Sequence, residues 1–198
     1  MTGAGALAPS FTRLRQALAA RPAALAERDP PFKEAAVTLV LREGADDLEL
    51  LLIRRATREG DPWSGQIGLP GGRWAPEDAS LEQTALRETR EEVGLDITRS
   101  GEVLGVLDEL RPRTPVLPPI IVRPFVCALR EVPALLPSDE VAELRWVRVG
   151  ALFHPAARVH TSVRVRDIQM RVEAYQLDDF TVWGMTERIL STFEEIWR

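Results

Sequence analysis

GLPGGRWAPEDASLEQTALRETREEVGL, residues 68–95, joins a glycine turn to an acidic helix. Leu81, Ala85, Thr89 and Val93 recur every four residues, which predicts a helix over 81–93 with one narrow, small or apolar face. Gly94 stands where a left-handed C-cap is expected. Glu88, Glu91 and Glu92 fall at i, i+3 and i+4, so their carboxylates gather on another face. That placement is costly. Like charges at this spacing repel by roughly a few tenths of a kcal/mol per pair, and acids in a last turn oppose the helix dipole. Arg87, four residues before Glu91, relieves part of the repulsion. A solvated face laced with arginine pairs is the plain reading. A hard-cation site is the other, because carboxylates one turn apart suit an ion such as Mg²⁺ that takes its remaining ligands from water and phosphates. The adjacent glycines, Gly71 and Gly72, permit positive φ and a close backbone approach to an ion or phosphate, which favours the second reading.

Outward from this segment, Ala35–Leu41 and Leu48–Ile53 read as strands joined by a turn-rich stretch. A Gly/Pro/Trp-rich passage runs from Gly60 to Pro76. Val103–Leu107, Ile120–Leu129 and Leu144–Val149 read as further strands. Met185, Ile189, Phe193 and Trp197 are spaced as the apolar stripe of a closing helix. Near the start, Leu7, Phe11, Leu14 and Leu18 form another such stripe, with Ser10 as its candidate cap. Residues 1–26 carry no acid, which also suits an organelle transit segment, but a helix packed on the domain is the favoured reading. The expected organisation is an N-terminal helical extension over 1–30 and one domain over 31–198. Its fold class is α/β (α+β), one sandwich.

With 198 residues, 45% hydrophobic and 28% charged, the chain is long enough for a sizeable core and unlike a disordered or fibrous protein. No apolar run approaches the roughly 18 residues of a spanning helix, so no membrane partner is expected. Cys127 is alone, which excludes an intrachain disulfide and a multi-cysteine metal site, and suits a reducing, cytoplasmic setting. The net charge of −5 and the lack of a basic stripe argue against nucleic acid as partner, RNA-cap removal included.

The segment Gly72–Leu95 resembles the signature box of the Nudix hydrolases, through Gly72, Arg87-Glu88, Glu91-Glu92, Gly94 and Leu95. Three positions depart from that pattern: eight residues separate Asp78 from Arg87, one more than usual; Asp78 replaces a glutamate; and Thr89 replaces an apolar residue. Leu51-Leu52, Arg54-Arg55, Gly65-Gln66-Ile67, Leu69-Pro70-Gly71-Gly72, Thr84–Glu88, Pro137–Val141 and Trp183–Thr186 are similar to the coenzyme A diphosphatase branch. That branch usually has phenylalanine at the position of Leu69 and serine at that of Ala56.

The resemblance implies an α/β/α sandwich with a mixed central sheet. It also implies a small-molecule substrate, a Mg²⁺ or Mn²⁺ cofactor, and hydrolysis of coenzyme A at its pyrophosphate bond. Glu88 and Glu92 are the expected principal metal ligands, with Glu91 and the Gly72 carbonyl completing the set. Arg87 is expected to hold a glutamate in place. The general base is open between the box glutamates, Glu91 among them, and Glu140, with Glu143 behind it. Arg54, Arg55, Arg58, Arg73 and the Gly71 backbone are the candidate substrate contacts, and Trp63 and Trp74 are candidates for stacking on adenine. Alternatives are a Nudix enzyme acting on ADP-ribose or a related nucleotide, and a non-catalytic nucleotide-binding regulator. A monomer or homodimer is expected.

Overall fold

The structure, a computed structural model, describes residues 7–59, 63–112, 119–165 and 168–198. Residues 60–62 of the Gly60–Pro76 passage lie outside it. The elements in chain order are α1 (Pro9–Ala20), β1 (Lys33–Glu43), β2 (Leu48–Arg55), β3 (Ile67–Gly68), β4 (Gly71–Arg73), α2 (Leu81–Val93), α3 (Ile97–Ser100), β5 (Gly101–Val106) and β6 (Ile120–Leu129). They continue with β7 (Val141–Arg148), α4 (Val149–Leu152), a 3₁₀ turn (Pro155–Ala157), β8 (Arg158–Val165), β9 (Ile168–Leu177), β10 (Phe180–Trp183) and α5 (Gly184–Trp197).

Among the described residues seven strands form one mixed sheet, in which β1 runs parallel to β6 and antiparallel to β2 and β4, while β7 pairs with β2. The near-continuous apolar sequences of β1, β2 and β6 follow from burial on both faces. Side chains alternate across that sheet. Leu39, Leu41, Leu50 and Leu52 join the core under α1 and α5, whereas Ala36, Val40, Leu51 and Ile53 join the core under α2. The α/β/α layering expected from the resemblance is therefore present. A second sheet, β8-β9-β10, lies off the first and was not anticipated from the sequence.

The N-terminal stripe packs on the domain: Phe11, Leu14 and Leu18 of α1 are buried in the same core as α5. Ser10 is not its cap. Pro9 opens the helix after Ala8, whose side chain makes no capping bond, and the Ser10 hydroxyl instead reaches Glu43. The segment after α1 is tied down by Glu109, whose side chain is only 1% exposed. Its carboxylate accepts from Arg28 and Arg123 at 2.8 Å each and from the Ala26 N–H at 2.9 Å.

Burial alone would raise the Glu109 pKa, but these donors outweigh it and bring the group down to about 2. A depressed carboxyl contributes stability that is fully present above its unfolded value of 4.5 and is lost as pH falls through about 2. Glu109→Gln is expected to lower unfolding free energy by on the order of 2–3 kcal/mol at pH 7. The gap from wild type should close between pH 5 and pH 2 in denaturant titrations; a gap independent of pH would contradict this origin.

Candidate active site

The helix α2 forms where its sequence places it. Ser80 caps its start by accepting from the Gln83 N–H, and Gly94 ends it at φ 70°. Leu81, Ala85 and Val93 bury against the sheet, and Thr84 and Thr89 are buried with them. The Thr89 hydroxyl lies 2.7 Å from that of Thr38 on β1 and 2.7 Å from the Ala85 carbonyl. Thr38 in turn donates its N–H to the Pro70 carbonyl, so helix, sheet and glycine turn are pinned together.

At that junction the backbone of β4 meets β1 at Gly71 and α2 at Gly72 with no room for a side chain at either. A Cβ on Gly72 would fall 2.4 Å from the Glu88 carboxylate carbon, and one on Gly71, at φ 150°, would fall 2.3 Å from the Ala36 carbonyl oxygen. The Gly71 N–H donates to Glu92 at 2.9 Å, and Arg55 approaches the other Glu92 oxygen at 3.6 Å. Arg87 forks onto Asp78 with two 2.8 Å bonds, and reaches Glu88 at 2.9 Å, Glu91 at 3.0 Å and the Arg73 carbonyl at 3.2 Å. Its guanidinium holds the Asp78 carboxyl well below the usual range.

Glu88 and Glu92 border a cleft of about 580 Å³, together with Gly71, Gly72, Arg55, Arg73 and Glu140. Glu140 is brought there by the segment before β7. The Ser138 N–H caps the Glu92 carbonyl, the Glu140 carbonyl accepts from Ala56 N–H, and the Glu140 carboxylate pairs with Arg58 at 2.9 Å.

Not every expected residue arrives. Glu91 is over half exposed, turned to Arg87, and is not part of the cleft lining. Arg54 neighbours Arg55 in sequence and so points to the opposite side of β2, where it stacks on Phe180 and pairs with Glu143 and Asp179. The expectation of Arg54 as a substrate contact is corrected accordingly, and Glu143 is likewise engaged away from the cleft. Trp63 lines the cleft, whereas Trp74 is 45% exposed outside it and donates to the Asp78 carbonyl. The wall formed by Met170, Val172, Trp183, Met185, Arg188 and Ile189 was not foreseen. The only sequence signal for it was Trp183–Thr186 at the start of the last helix.

The NUDIX domain profile matches residues 32–165. The chain belongs to the Nudix family. Its relatives include an uncharacterised protein of Schizosaccharomyces pombe, 36% identical over 58% of this chain and 36% of that protein. Peroxisomal coenzyme A diphosphatase ndx-8 of Caenorhabditis elegans is 31% identical over 78% of this chain and 64% of its own length. Mitochondrial coenzyme A diphosphatase NUDT8 of Mus musculus is 34% identical over 71% of this chain and 66% of its own length. The chain thus spans between 36% and 66% of these relatives. Their names point to the peroxisome and the mitochondrion rather than the expected cytoplasm. Among the described residues, no helix is long and apolar enough to cross a membrane. A MutT/nudix family protein from Enterococcus faecalis shares the fold, with a TM-score of 0.57 over 97% of this chain and 70% of that one at 24% identity.

Nudix hydrolases generally need divalent metal ions. Among the described residues no three acidic, histidine or cysteine side chains converge as a ready ligand set. What the Nudix box does present is a pair, Glu88 and Glu92, which fits an ion that fills its other positions with water and phosphate oxygens. Burial raises both carboxyls, Arg87 partly countering it at Glu88 and the Gly71 N–H at Glu92, while each feels Glu140; Glu92 stands at about 7.

A raised carboxyl favours the neutral form, so the ion-free fold has the full benefit below pH 4.5 and loses it as pH rises through about 7. In chelator, Glu92→Gln is expected to be more stable than wild type at pH 8, by about 1–3 kcal/mol, and little different at pH 4.5. Thermal melts at the two pH values check this. The two glycines should separate as well. Gly71→Ala meets fixed backbone and is expected to lose more than about 2 kcal/mol, whereas Gly72→Ala meets only the carboxylate end of the Glu88 side chain, which can turn aside, and should melt close to wild type.

Proposed function

We propose that this chain hydrolyses the pyrophosphate bond of coenzyme A, or of its derivatives, to 3′,5′-ADP and 4′-phosphopantetheine. The observation that carries the reading is the cleft itself, with two buried-edge carboxylates and a side-chain-free Gly71-Gly72 backbone at one end and a mainly apolar wall at the other. A pyrophosphate flanked by a nucleoside on one side and a long, uncharged arm on the other matches that division. The two relatives named as coenzyme A diphosphatases support the choice of substrate.

Glu88 and Glu92 would hold Mg²⁺ or Mn²⁺, with the loop at Gly72 completing the site, and the bound ion supplies charge neutralisation at the phosphoryl oxygens. The remaining work falls to the chain. Arg87 fixes Glu88 against Gly72. Arg55 and Arg73 border the same end and can donate to phosphate oxygens. Water attacks one phosphorus, and the bond from that phosphorus to the bridging oxygen breaks. Glu140, which shares the cleft with Glu88 and Glu92, takes the proton from the attacking water, a role for which Glu91 is turned the wrong way.

Product analysis with coenzyme A and Mg²⁺ or Mn²⁺ tests the reading. Glu92→Gln should abolish measurable turnover, and Glu140→Gln should slow it by about 10²–10⁴-fold. Higher kcat/KM for ADP-ribose than for coenzyme A would replace the substrate. Nucleotide binding with no turnover in either metal would make the protein a regulator instead.

A further inference from the structure

Arg188 was not singled out by any motif, and it lies beyond residues 32–165 matched by the family profile. Met185, Arg188 and Ile189 stand at i, i+3 and i+4 on α5, so one helix face turns all three into the cleft wall. Its neighbour Glu187 goes the other way, buried, with its carboxylate accepting from the Ser191 hydroxyl.

The arginines around the cleft otherwise have carboxylate partners. Arg55 faces Glu92, Arg58 holds Glu140, Arg54 holds Glu143 and Asp179, and Arg87 holds Asp78. Among the described residues, Arg73 and Arg188 line the cleft with no acidic side chain in ion-pair reach. They are not equivalent. Arg73 continues β4 directly from Gly71-Gly72, and its carbonyl accepts from Arg87, so it belongs to the end with Glu88. Arg188 is carried by a different element, on the wall shared with β9 and β10.

We infer that Arg188 reads a second anionic group of the substrate, a phosphate monoester set apart from the bond that is cleaved. In coenzyme A that group is the 3′-phosphate of the ribose, so the inference rests on the proposed substrate and makes this phosphate its specificity determinant. A guanidinium suits it, because its planar fork donates two parallel hydrogen bonds to one phosphate. An exposed arginine on an apolar wall has little else to recognise there.

The comparison uses coenzyme A and 3′-dephospho-coenzyme A as substrates for wild type, Arg188→Ala, Arg188→Lys and Arg73→Ala, with melting curves to establish that each variant is folded. Wild type should prefer coenzyme A. In Arg188→Ala the ratio of kcat/KM for the two substrates should fall by roughly 10–100-fold, chiefly through KM for coenzyme A, and Arg188→Lys should restore part of it. An unchanged ratio in Arg188→Ala, or a ratio that collapses in Arg73→Ala instead, overturns the assignment while leaving the proposed reaction intact. Failure of wild type to cleave either compound removes both the reaction and the assignment.

Discussion

The Glu88 carboxylate occupies the volume that a side chain at position 72 would need, and the rest of the site is arranged around that exclusion. With a bare backbone at 71 and 72, β4 lies directly against β1 on one side and α2 on the other. The Gly71 N–H then points at Glu92, and the two carboxylates one helical turn apart border the cleft instead of open solvent. A methyl group at 71 would meet fixed backbone and push the strand off this position, whereas one at 72 would displace the Glu88 carboxylate itself. What keeps strand and helix together is buried polar contact on the sheet side, where Thr89, Thr38 and the Pro70 carbonyl form a short chain of hydrogen bonds. An apolar residue at 89 would pack there but would leave the Thr38 hydroxyl with only a long bond to Pro70.

The departures from the Nudix pattern thus have physical counterparts. Threonine at 89 links helix to turn. Asp78 is a shorter acid than the usual glutamate, yet it receives both Arg87 bonds, the Thr84 hydroxyl and the Ala75 N–H, so the longer spacer folds back onto the helix instead of looping away. Arg87 is thereby oriented before it touches Glu88 or Glu91. Its role is positional: it fixes the direction of carboxylates that would otherwise repel.

Much of this was legible because it is local. The limits of α2, its Gly94 stop and the clustering of its glutamates depend on spacing within a few turns; β6 shows as a near-continuous apolar run and α5 by equally plain periodicity. What could not be read depends on which side of a strand a residue faces once the register is set. Arg54 and Arg55 are chemically identical neighbours, and only the pairing of β2 with β7 decides that one meets Asp179 and the other Glu92. The second sheet was missed for a related reason. Strands β8 and β9 are rich in polar and charged residues, so they lack the apolar runs that announced the central sheet. With them went the cleft wall and Arg188. Ser10 shows the same lesson at smaller scale: a good capping residue lost its place to a proline one position earlier, which fixes the helix start through φ.

The charges of the site carry the argument one step further. Asp78, Glu88, Glu91, Glu92 and Glu140 are met by Arg55, Arg58 and Arg87, five carboxylates against three guanidiniums. Even with Arg73 at the same end the cluster stays short of positive charge, which a divalent ion can supply. Without such an ion the chain has one means of reducing the imbalance, protonation, and it falls on Glu92, the most enclosed of the five, whose pKa stands at about 7. Filling the deficit with another arginine would make the cluster more stable and leave no position for phosphate oxygens to share. Arg188 stays out of this balance because it is carried on the wall shared with β9 and β10 and, among the described residues, has no carboxylate to satisfy. A site that is short of positive charge at one end and holds unspent guanidiniums along its walls is suited to a substrate that is itself anionic and arrives with its charge spread over more than one group.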